Sequence, residues 1–558
     1  MNKLLSLFLL LSVSYTGSAQ LFHEKNYPQQ YFRWPVGATV GIAANFGELR
    51  PNHYHMGLDA RTERKENMPI LAAAAGYIAK VKIEPFGFGR CIYINHPNGI
   101  TTLYAHLNNF SPALENYIKQ QQYNLKQWRV FLDIPANLFP VAKGDFIAYS
   151  GNTGGSQGPH LHFEIRDTKT DKVLNPLLFD FPIPDNTPPD IIRLAMYDRC
   201  ISTYEQAPKY IALKKVNGLY EPVAGTMTVA TDKISFAITA YDRYTGSTNQ
   251  NGIYKAILFD NGKPVSGFLM DSISYDETRY LNAHIDYKQR ARGGPYLQHV
   301  SRLYGYNNGI YKTDENKGVI FLKGDSARVI RIEVSDAAGN KSIIQLKVKA
   351  AETFTTPSAT GDFEMFHPGI VNVFENDKIR FYLPEKSLYD SFRFRYKEIA
   401  GTTGGYIYQL HEATVPVHTY FPISIRQNFP VSDTGKIVMK RTYGAKIDYR
   451  KASENLGWYT SRFREFGNFQ LLKDTMPPVI SAVSKSPFRL AFSIVDNTEE
   501  LENFNAYLDG KWVRFSNDKG RTFVYIFDEN CPPGPHELVI NVEDQVGNNS
   551  ERRFSFTR

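Results

Sequence analysis

Three short motifs in the first third of the chain bring together side chains that bind metals and move protons. They are His55-x-x-x-Asp59, Tyr104-x-His106 and His160-x-His162. Together they offer two imidazoles and a carboxylate for one divalent metal, and two further imidazoles to act on a substrate beside it. Such a set of side chains is typical of a zinc hydrolase.

The last of these motifs lies in an alternating segment that predicts a β-strand. His160 and His162 are two residues apart, so on a strand their side chains lie on the same face. Glu164 continues this face, while the residues between turn toward the core. The preceding segment 151–159 is rich in glycine, which permits a close approach of the backbone to the site.

The other two motifs have spacings that suit the same site. His55 and Asp59 are four residues apart with Gly57 between them, so one turn of the chain can bring a nitrogen and an oxygen to one ion. Tyr104 and His106 are two apart in a second predicted strand, and the alternation of strand side chains places them on one face.

Each motif alone also has a structural explanation. A single histidine on a strand is more often packed or hydrogen-bonded than catalytic. Glu164 is either a partner that orients a ligand imidazole or a surface carboxylate. His53 is interpreted as a loop residue or a partner of a ligand, and His96 as a turn residue. The conjunction of the three motifs in one β-rich domain favours a functional site.

Read with their flanks, the three motifs resemble the signature of the lysostaphin-like (LytM-type) zinc metalloendopeptidases. The resemblance covers residues 34–179, less than a third of the chain. It extends to the flanking segments 45–47, 87–89, 94–99 and 150–154.

The resemblance implies a role for five residues of this sequence. His55, Asp59 and His162 correspond to the ligands of one Zn²⁺ ion, and His106 and His160 correspond to the two catalytic histidines. The division of proton transfers between the two catalytic histidines stays open.

The resemblance further implies a compact antiparallel β-core with a groove, and peptidoglycan stem or cross-link peptides as the substrate. The chain departs from the family pattern by an insertion at about 111–140, in which residues 112–129 have apolar side chains at helical spacing. This insertion has four interpretations: a cap over the groove, an autoinhibitory element, a docking site for a partner, or a decorated surface loop.

A repeated pattern in the rest of the chain predicts further β-domains. One block opens at Asp185 and another at Asp474, each just before a Pro-Pro pair, and each block ends in an Asp-x-x-Gly-Asn turn that begins at Asp336 or Asp544. Short alternating strands separated by tight turns are typical of β-sandwiches. The two blocks resemble bacterial immunoglobulin-like domains.

The predicted fold is therefore mainly β, a compact antiparallel β-core metallopeptidase domain followed by several β-sandwich domains. The predicted divisions are 1–19 as a secretory signal peptide, 20–184 as the metallopeptidase domain, 185–350 and 474–558 as immunoglobulin-like domains, and 351–473 as a β-rich domain.

The N-terminus predicts export. Lys3 precedes the apolar run 4–13 and the small residues 17–19, the pattern of a cleaved signal peptide. No later segment is long and apolar enough to predict a transmembrane helix. The 3 cysteines lie far apart, which excludes a disulfide framework and a thiolate zinc site. The predicted location is the periplasm or cell envelope, with release from the cell as an alternative.

Charge and motif content limit the classes of partner that the chain is predicted to bind. The net charge of +8 is spread along the chain, and no nucleic-acid-binding motif is present.

Three functions are compatible with the sequence: a zinc endopeptidase of peptidoglycan cross-links, a non-catalytic envelope scaffold or activator of other wall hydrolases, and a secreted protease acting on non-wall protein. The complete ligand set favours the first. An envelope protein is a further predicted partner, through the insertion or the β-rich tail.

Overall fold

The structure is a computed structural model that describes residues 21–558, except for 24, 323, 325, 354–362, 402–404 and 521. The predicted mainly β fold, with an antiparallel core domain followed by further sheets, is confirmed. The predicted signal peptide at 1–19 lies outside the described residues. No helix in the described part of the chain is long and apolar enough to cross a membrane.

The N-terminal domain is built on one antiparallel sheet. Its strands, in spatial order, are Ile42–Ala44, Leu58–Arg61, His160–Asp167, Ile100–Ala105, Arg90–Asn95, Gly76–Ile83 and Val130–Asp133, with Pro140–Val141 added beside Gly76–Ile83 and Val173–Leu174 beside His160–Asp167. A second sheet contains Pro69–Leu71, Phe146–Ser150 and Leu107–Phe110, and a small hairpin pairs Leu49–Arg50 with His53–Tyr54.

Strand His160–Asp167 lies at the centre of the main sheet and fixes the site. Leu161, Phe163 and Ile165 are fully or almost fully buried in the domain core. Because strand side chains alternate, His160 and His162 lie on the opposite face. The neighbouring strand Leu58–Arg61 pairs Asp59 directly with His162, which brings the first and last motifs together.

The segment predicted to be helical forms an α-helix over Pro112–Leu125. Proline suits the first helical position, because the backbone N–H that it lacks would have no partner within the helix there. Leu114, Ile118 and Gln122 form the buried face, and the helix ends at Lys126, which has a left-handed backbone (φ 51°). The chain then adds strand Val130–Asp133 to the edge of the main sheet.

The region after residue 184 contains two larger sheets. One has the order Lys209–Ile211, Asp190–Asp198, Lys233–Tyr241 and Gln298–His299, with Ile320–Phe321 also beside Lys233–Tyr241. The other has the order Leu213–Val216, Leu219–Pro222, Lys341–Ala350, Arg328–Ser335, Lys255–Asp260, Lys263–Leu269 and Tyr311–Thr313, with Met227–Val229 also beside Lys341–Ala350. Short helices of this region lie at Thr278–Tyr280, Leu281–His284 and Tyr287–Ala291, and another lies before it at Pro176–Leu178.

This region is joined to the N-terminal domain. Strand Ser272–Ile273 pairs with Val173–Leu174, so the main sheet of the N-terminal domain continues into the next region. Phe46, Tyr54 and Met56 are buried in the core of that region rather than in their own. The two units therefore support each other through shared apolar burial.

Residues 363–473 form a pair of sheets around a core rich in phenylalanine. One sheet has the order Asn372–Glu375, Ile379–Leu383, Pro416–Arg426, Trp458–Glu465 and Ser453–Asn455. The other has the order Tyr396–Ala400, Tyr406–Leu410, Gly467–Lys473, Ile437–Tyr443 and Lys446–Lys451, and Met365–Phe366 pairs with Phe392–Arg393. A 3-10 helix lies at Val431–Lys436.

Residues 474–558 form the last unit, with a separate core. Its sheets are Ser484–Lys485, Arg489–Phe492 and Phe523–Ile526, and Lys511–Trp512, Leu501–Leu508, Pro535–Asp544 and Asn549–Thr557, with Val479–Ile480 paired to Ile494–Val495. A short turn of 3-10 type lies at Asp518–Gly520.

Candidate metal centre and active site

The structure brings the three predicted metal ligands together. Nε2 of His55 lies 2.9 Å from Oδ1 of Asp59 and 3.1 Å from Nδ1 of His162, and the last two atoms lie 3.0 Å apart. A tetrahedral zinc ion with bonds of about 2 Å separates its ligand atoms by about 3.3 Å. The three atoms are therefore spaced as neighbouring ligands of one ion, and their chemistry suits zinc.

Hydrogen bonds from the far side of each ring fix which nitrogen faces this centre. Nδ1–H of His55 donates to the backbone oxygen of Asn45 at 2.7 Å. Nε2–H of His162 donates to Oε1 of Glu164 at 2.9 Å. With the outer nitrogen of each ring committed as a hydrogen-bond donor, the inner nitrogen is the one that can offer a lone pair to a metal.

The charges around the centre favour a cation. Burial alone would raise the pKa of Asp59, but attraction to His55 and the close ring nitrogens of His160 and His162 hold it well below its usual range. Burial lowers the pKa of His162, but hydrogen bonds to Asp59 and Glu164 outweigh this effect and raise it to about 9. The carboxylates of Asp59 and Glu164 thus favour a positive charge on the ring of His162, which lies between them. Uptake of a metal would release a proton from His162.

The two predicted catalytic histidines lie beside the metal ligands. The ring centres of His106 and His160 are 4.8 Å apart, and that of His106 is 5.9 Å from the ring of His162. Nδ1–H of His106 donates to the backbone oxygen of Thr153, and Nδ1–H of His160 donates to that of Gly158. Both histidines therefore present an unprotonated Nε2 while they are neutral.

His106 departs from its predicted strand geometry. The strand ends at Ala105, and His106 has a left-handed backbone with φ 62°. Tyr104 is fully buried and its hydroxyl accepts a hydrogen bond from the backbone of Ala73. The prediction that Tyr104 and His106 share one strand face is wrong, because the turn at His106 ends the alternation and sends its side chain to the site.

Glu164 is a buried partner of a predicted ligand and not a surface carboxylate. Its side chain is 0% exposed, and it accepts hydrogen bonds from His162, from Nε of Arg166 at 2.7 Å and from the hydroxyl of Tyr275. Burial would raise the pKa of Glu164, but these partners outweigh it and lower it to about 2. Glu164 therefore stays ionised and holds the ring of His162 in place.

Substituting Glu164 with glutamine is expected to weaken zinc binding by about 10- to 100-fold, because the amide no longer polarises the imidazole of His162. Competition with a chromogenic zinc chelator measures this affinity. Asp171→Asn is the matched control, since Asp171 also binds Arg166 but makes no contact with His162. Equal zinc affinities for Glu164→Gln and the wild type would contradict this role.

The glycine-rich loop that orients both histidines is held by the last unit of the chain. Oδ1 of Asp518 accepts a hydrogen bond from the backbone N–H of Gly154 at 2.8 Å. The ammonium of Lys519 donates to the backbone oxygen of Ser156 at 2.7 Å and to Asn152 at 3.2 Å. A turn more than 350 residues away in the chain thus contacts the loop on which the site depends.

The helix Pro112–Leu125 contacts the same distant unit. The hydroxyl of Tyr123 donates to Asp528 at 2.6 Å, and its ring meets Trp512 edge-on at 5.5 Å. Lys119 forms ion pairs with Asp528 and Glu529. Among the four interpretations of the insertion, these contacts favour a docking surface, occupied here by the chain's own last unit.

Two further histidines lie outside the cluster: His53, interpreted from the sequence as a loop residue or a partner of a ligand, and His96, interpreted as a turn residue. His53 is exposed and its Nδ1–H donates to the backbone oxygen of Pro51. His96 is buried in the turn after strand Arg90–Asn95, where it binds the backbone oxygen of Ala75 and the hydroxyl of Thr102. Neither contacts a predicted ligand.

Sequence reasoning missed the supports of the site. Asn45 orients His55 and is itself held by reciprocal hydrogen bonds with the backbone of Gly252. Tyr275 and Lys519 come from other units. The sequence offered a signal for Asn45, because this residue lies in a segment that flanks the motifs. It offered none for Tyr275 and Lys519, because their contacts exist only in the folded chain.

Comparison with known proteins agrees with this site. The sequence model of peptidase family M23 matches residues 53–123 and 139–176, which include all five predicted site residues. The chain therefore carries a family M23 peptidase domain, and the predicted resemblance is confirmed. The unmatched stretch 124–138 is shorter than the predicted insertion at about 111–140. A Zu5-like domain model matches residues 364–474, within the region predicted only as β-rich.

Two curated relatives each match about a quarter of this chain. The DD-carboxypeptidase/endopeptidase Mpg of Neisseria meningitidis serogroup B is 33% identical over 136 residues, which are 24% of this chain and 25% of the relative. The peptidoglycan DD-endopeptidase ShyA of Vibrio cholerae is 26% identical over 153 residues, which are 26% of this chain and 30% of the relative. The chain thus spans about a quarter to a third of the length of these relatives.

A solved structure is also similar to part of this chain. The catalytic domain of the M23 protein EnpA from Enterococcus faecalis is 21% identical to this chain. The match covers 26% of this chain and 95% of that domain, with a TM-score of 0.20.

Proposed function

We propose that this protein is a zinc-dependent endopeptidase that hydrolyses the peptide cross-links of bacterial peptidoglycan. The observation that carries the proposal is the convergence of His55, Asp59 and His162 on one point, with His106 and His160 beside it. The relative named as a peptidoglycan DD-endopeptidase supports the choice of substrate, and the relative named as a DD-carboxypeptidase/endopeptidase supports the choice of an endopeptidase.

The proposed mechanism assigns the metal and the histidines different tasks. Zinc held by His55, Asp59 and His162 would polarise the scissile carbonyl and lower the pKa of an attacking water. Burial lowers the pKa of His106 to about 3, so this histidine is neutral near pH 7. The unprotonated Nε2 of His106 or His160 accepts a proton from the water, and the resulting imidazolium donates it to the leaving amine.

Product analysis of digested peptidoglycan tests this proposal. Purified sacculi are incubated with the zinc-loaded protein, and new amino and carboxyl ends at the cross-link peptides are expected. The control is the same protein stripped by a chelator, which is expected to release nothing until Zn²⁺ is restored. The positions of the new ends identify the bond that is cleaved.

Two other outcomes would favour other functions. Bound zinc without cleavage of any wall peptide would contradict the proposal and favour a non-catalytic scaffold or an activator of other wall hydrolases. Cleavage of an unfolded protein substrate together with intact sacculi would favour a secreted protease acting on non-wall protein.

The location and the domain divisions form part of the same proposal. A wall substrate requires export, which the signal-like segment 1–19 supports. The separate cores of residues 363–473 and 474–558 support independent domains there. The sheets of 185–350 support a β-sandwich of immunoglobulin-like type, attached firmly to the peptidase domain by the strand pairing at Ser272–Ile273.

Lys519 is expected to act as a positioning residue for the histidines. Lys519→Ala removes the ammonium from the backbone oxygen of Ser156 and loosens the loop that orients His106 and His160. Misplacement of catalytic groups by about 1 Å costs up to about 100-fold in rate, so kcat is expected to fall by about 10- to 100-fold with little change in KM. Steady-state kinetics on a cross-linked muropeptide measures both constants.

Lys519→Arg is the matched variant, because it keeps a cation at the same place and is expected to restore most of the activity. Zinc content and melting temperature serve as controls, and both are expected to match the wild type. A Lys519→Ala protein with unchanged kcat would show that the loop holds its position without this contact.

A further inference from the structure

The two repeat blocks that follow the peptidase domain carry the same cluster of three aspartates. In each cluster one carboxylate oxygen from every member lies within 4.8 Å of the others. The clusters are Asp185, Asp242 and Asp336 in the first block, and Asp474, Asp496 and Asp544 in the second. In both, the first member lies in the linker before a Pro-Pro pair and the third opens the Asp-x-x-Gly-Asn turn.

The linker aspartate and the turn asparagine are bonded alike in both copies. Oδ1 of Asp185 accepts from the backbone N–H two residues later at 3.1 Å, as does Oδ1 of Asp474. The side-chain amide of Asn340 donates to the backbone oxygen of Asp185 at 3.3 Å, and that of Asn548 does the same to Asp474. In each block, the asparagine of the turn is thus hydrogen-bonded to the linker that precedes the block.

The turn aspartates are also bonded alike. Oδ1 of Asp336 accepts from the backbone N–H of Asn340 at 2.9 Å, and Oδ2 accepts from its side-chain amide at 2.8 Å. Asp544 makes the same two contacts with Asn548, at 2.9 and 2.7 Å. The orientation of the carboxylate toward the cluster is therefore fixed in each block.

The same oxygens lack a partner in both clusters. Oδ2 of Asp185 and of Asp474, and Oδ1 of Asp242 and of Asp496, are buried and accept no hydrogen bond among the described residues. Asp242 is only 1% exposed and Asp474 only 2%. A buried carboxylate oxygen without a hydrogen bond lowers the stability of the fold. The same oxygens lack hydrogen bonds in two separate domains.

Among the described residues, no basic side chain forms an ion pair with a member of the first cluster. Arg243 follows Asp242 in the chain but forms its ion pair with Asp190. Burial, with repulsion from Asp185 and Asp336, raises the pKa of Asp242 to about 8. Burial likewise raises the pKa of Asp185 to about 6. The carboxylates therefore surround a position that lacks a positive charge.

We propose that each cluster binds one Ca²⁺ ion. Ca²⁺ takes six to eight oxygen ligands in flexible geometry, and three aspartates with adjoining backbone carbonyls and water can supply them. The donors are oxygens only, which separates these sites from the nitrogen-containing centre at His55, Asp59 and His162. Mg²⁺ fits less well because it demands a near-ideal octahedron and keeps most of its waters.

The position of the clusters gives the ions a mechanical role. Asp185 and Asp474 belong to linkers, whereas the other members belong to the block that follows, so an ion fastens each linker to its block. The second ion stiffens the attachment of the unit that carries Asp518 and Lys519. Calcium would thus stabilise the position of the last unit, residues 474–558, which contacts the glycine-rich loop of the active site.

Calorimetric titration with CaCl₂ tests the proposal on the full chain, freed of metals and reloaded with one equivalent of Zn²⁺. Two Ca²⁺ ions per chain are expected. Asp242→Asn is expected to leave one, and Asp242→Asn combined with Asp496→Asn none. Asp276→Asn, a change at an exposed aspartate of the first block, is the matched control and is expected to keep both. Absence of binding by the wild type would overturn the proposal.

Melting temperatures separate loss of calcium from loss of folding. Without Ca²⁺ the asparagine variants are expected to melt at or above the wild type, because asparagine replaces a carboxyl group that has no compensating cation there. With Ca²⁺ the wild type is expected to gain stability by linkage while the double variant gains none. Variants that lose the same stability in both conditions, or binding of Mg²⁺ as tight as that of Ca²⁺, would contradict a calcium site.

Discussion

His162→Ala is expected to lose the zinc ion and, with it, all measurable peptide hydrolysis. His162 supplies the inner Nδ1 that lies 3.0 Å from Asp59 and 3.1 Å from His55. Two remaining ligands hold zinc poorly, and the buried carboxylate of Glu164 loses the imidazole that it orients. Zinc content by plasma mass spectrometry and turnover of a cross-linked muropeptide measure the two losses.

His53→Ala is the control for this experiment. His53 lies only two residues before a predicted ligand, but it is exposed and donates to the backbone of Pro51. The variant is expected to keep one zinc ion and wild-type turnover. Full zinc occupancy in His162→Ala would contradict the proposed ligand set, and loss of zinc in His53→Ala would extend it.

Much of the site could be predicted because its residues lie in short local patterns. The alternation around His160 and His162 places both on one strand face, and the structure pairs that strand with the one carrying Asp59. Such patterns follow from backbone periodicity, which is visible in a single sequence. The sequence leaves two interpretations of Glu164 open, because its burial against Tyr275 depends on a residue 111 positions away.

What could not be predicted depends on contacts between distant segments. The left-handed backbone of His106 (φ 62°) has no local signal, because it is imposed by the fold around the strand end. The hold of Lys519 on the glycine-rich loop is equally invisible in the sequence. The repeated Asp and Asn positions predict turns, but their convergence into two clusters exists only in the folded domains.

The tail shows the same limit at the level of domains. The alternating segments predicted strands, and the described regions after residue 184 are indeed sheets. The sharing of a core between the peptidase domain and the next region was not predicted, because Phe46 and Tyr54 show only that they are apolar and not which neighbour buries them. Apolar burial is non-directional, so composition alone does not assign its partners.

His106→Ala and His160→Ala are each expected to lower kcat by about two to four orders of magnitude, the usual contribution of a general acid or base. Both are expected to keep the zinc ion, since neither belongs to the predicted ligand set. The expected combination of retained zinc and lost turnover separates these residues from His162. His96→Asn is the matched control: it removes a buried hydrogen-bonded histidine and is expected to lower the melting temperature without changing kcat per folded molecule.

The double variant of His106 and His160 tests how the two histidines divide their work. If they move protons within the same step, removing both costs little more than removing the more important one, because residues that act as a unit are strongly non-additive. Their rings lie 4.8 Å apart and each is oriented by a carbonyl of the same loop, so we expect this non-additive result. Losses that multiply would indicate separate steps, and a single variant that keeps more than about a tenth of wild-type kcat would contradict general acid–base catalysis by that residue.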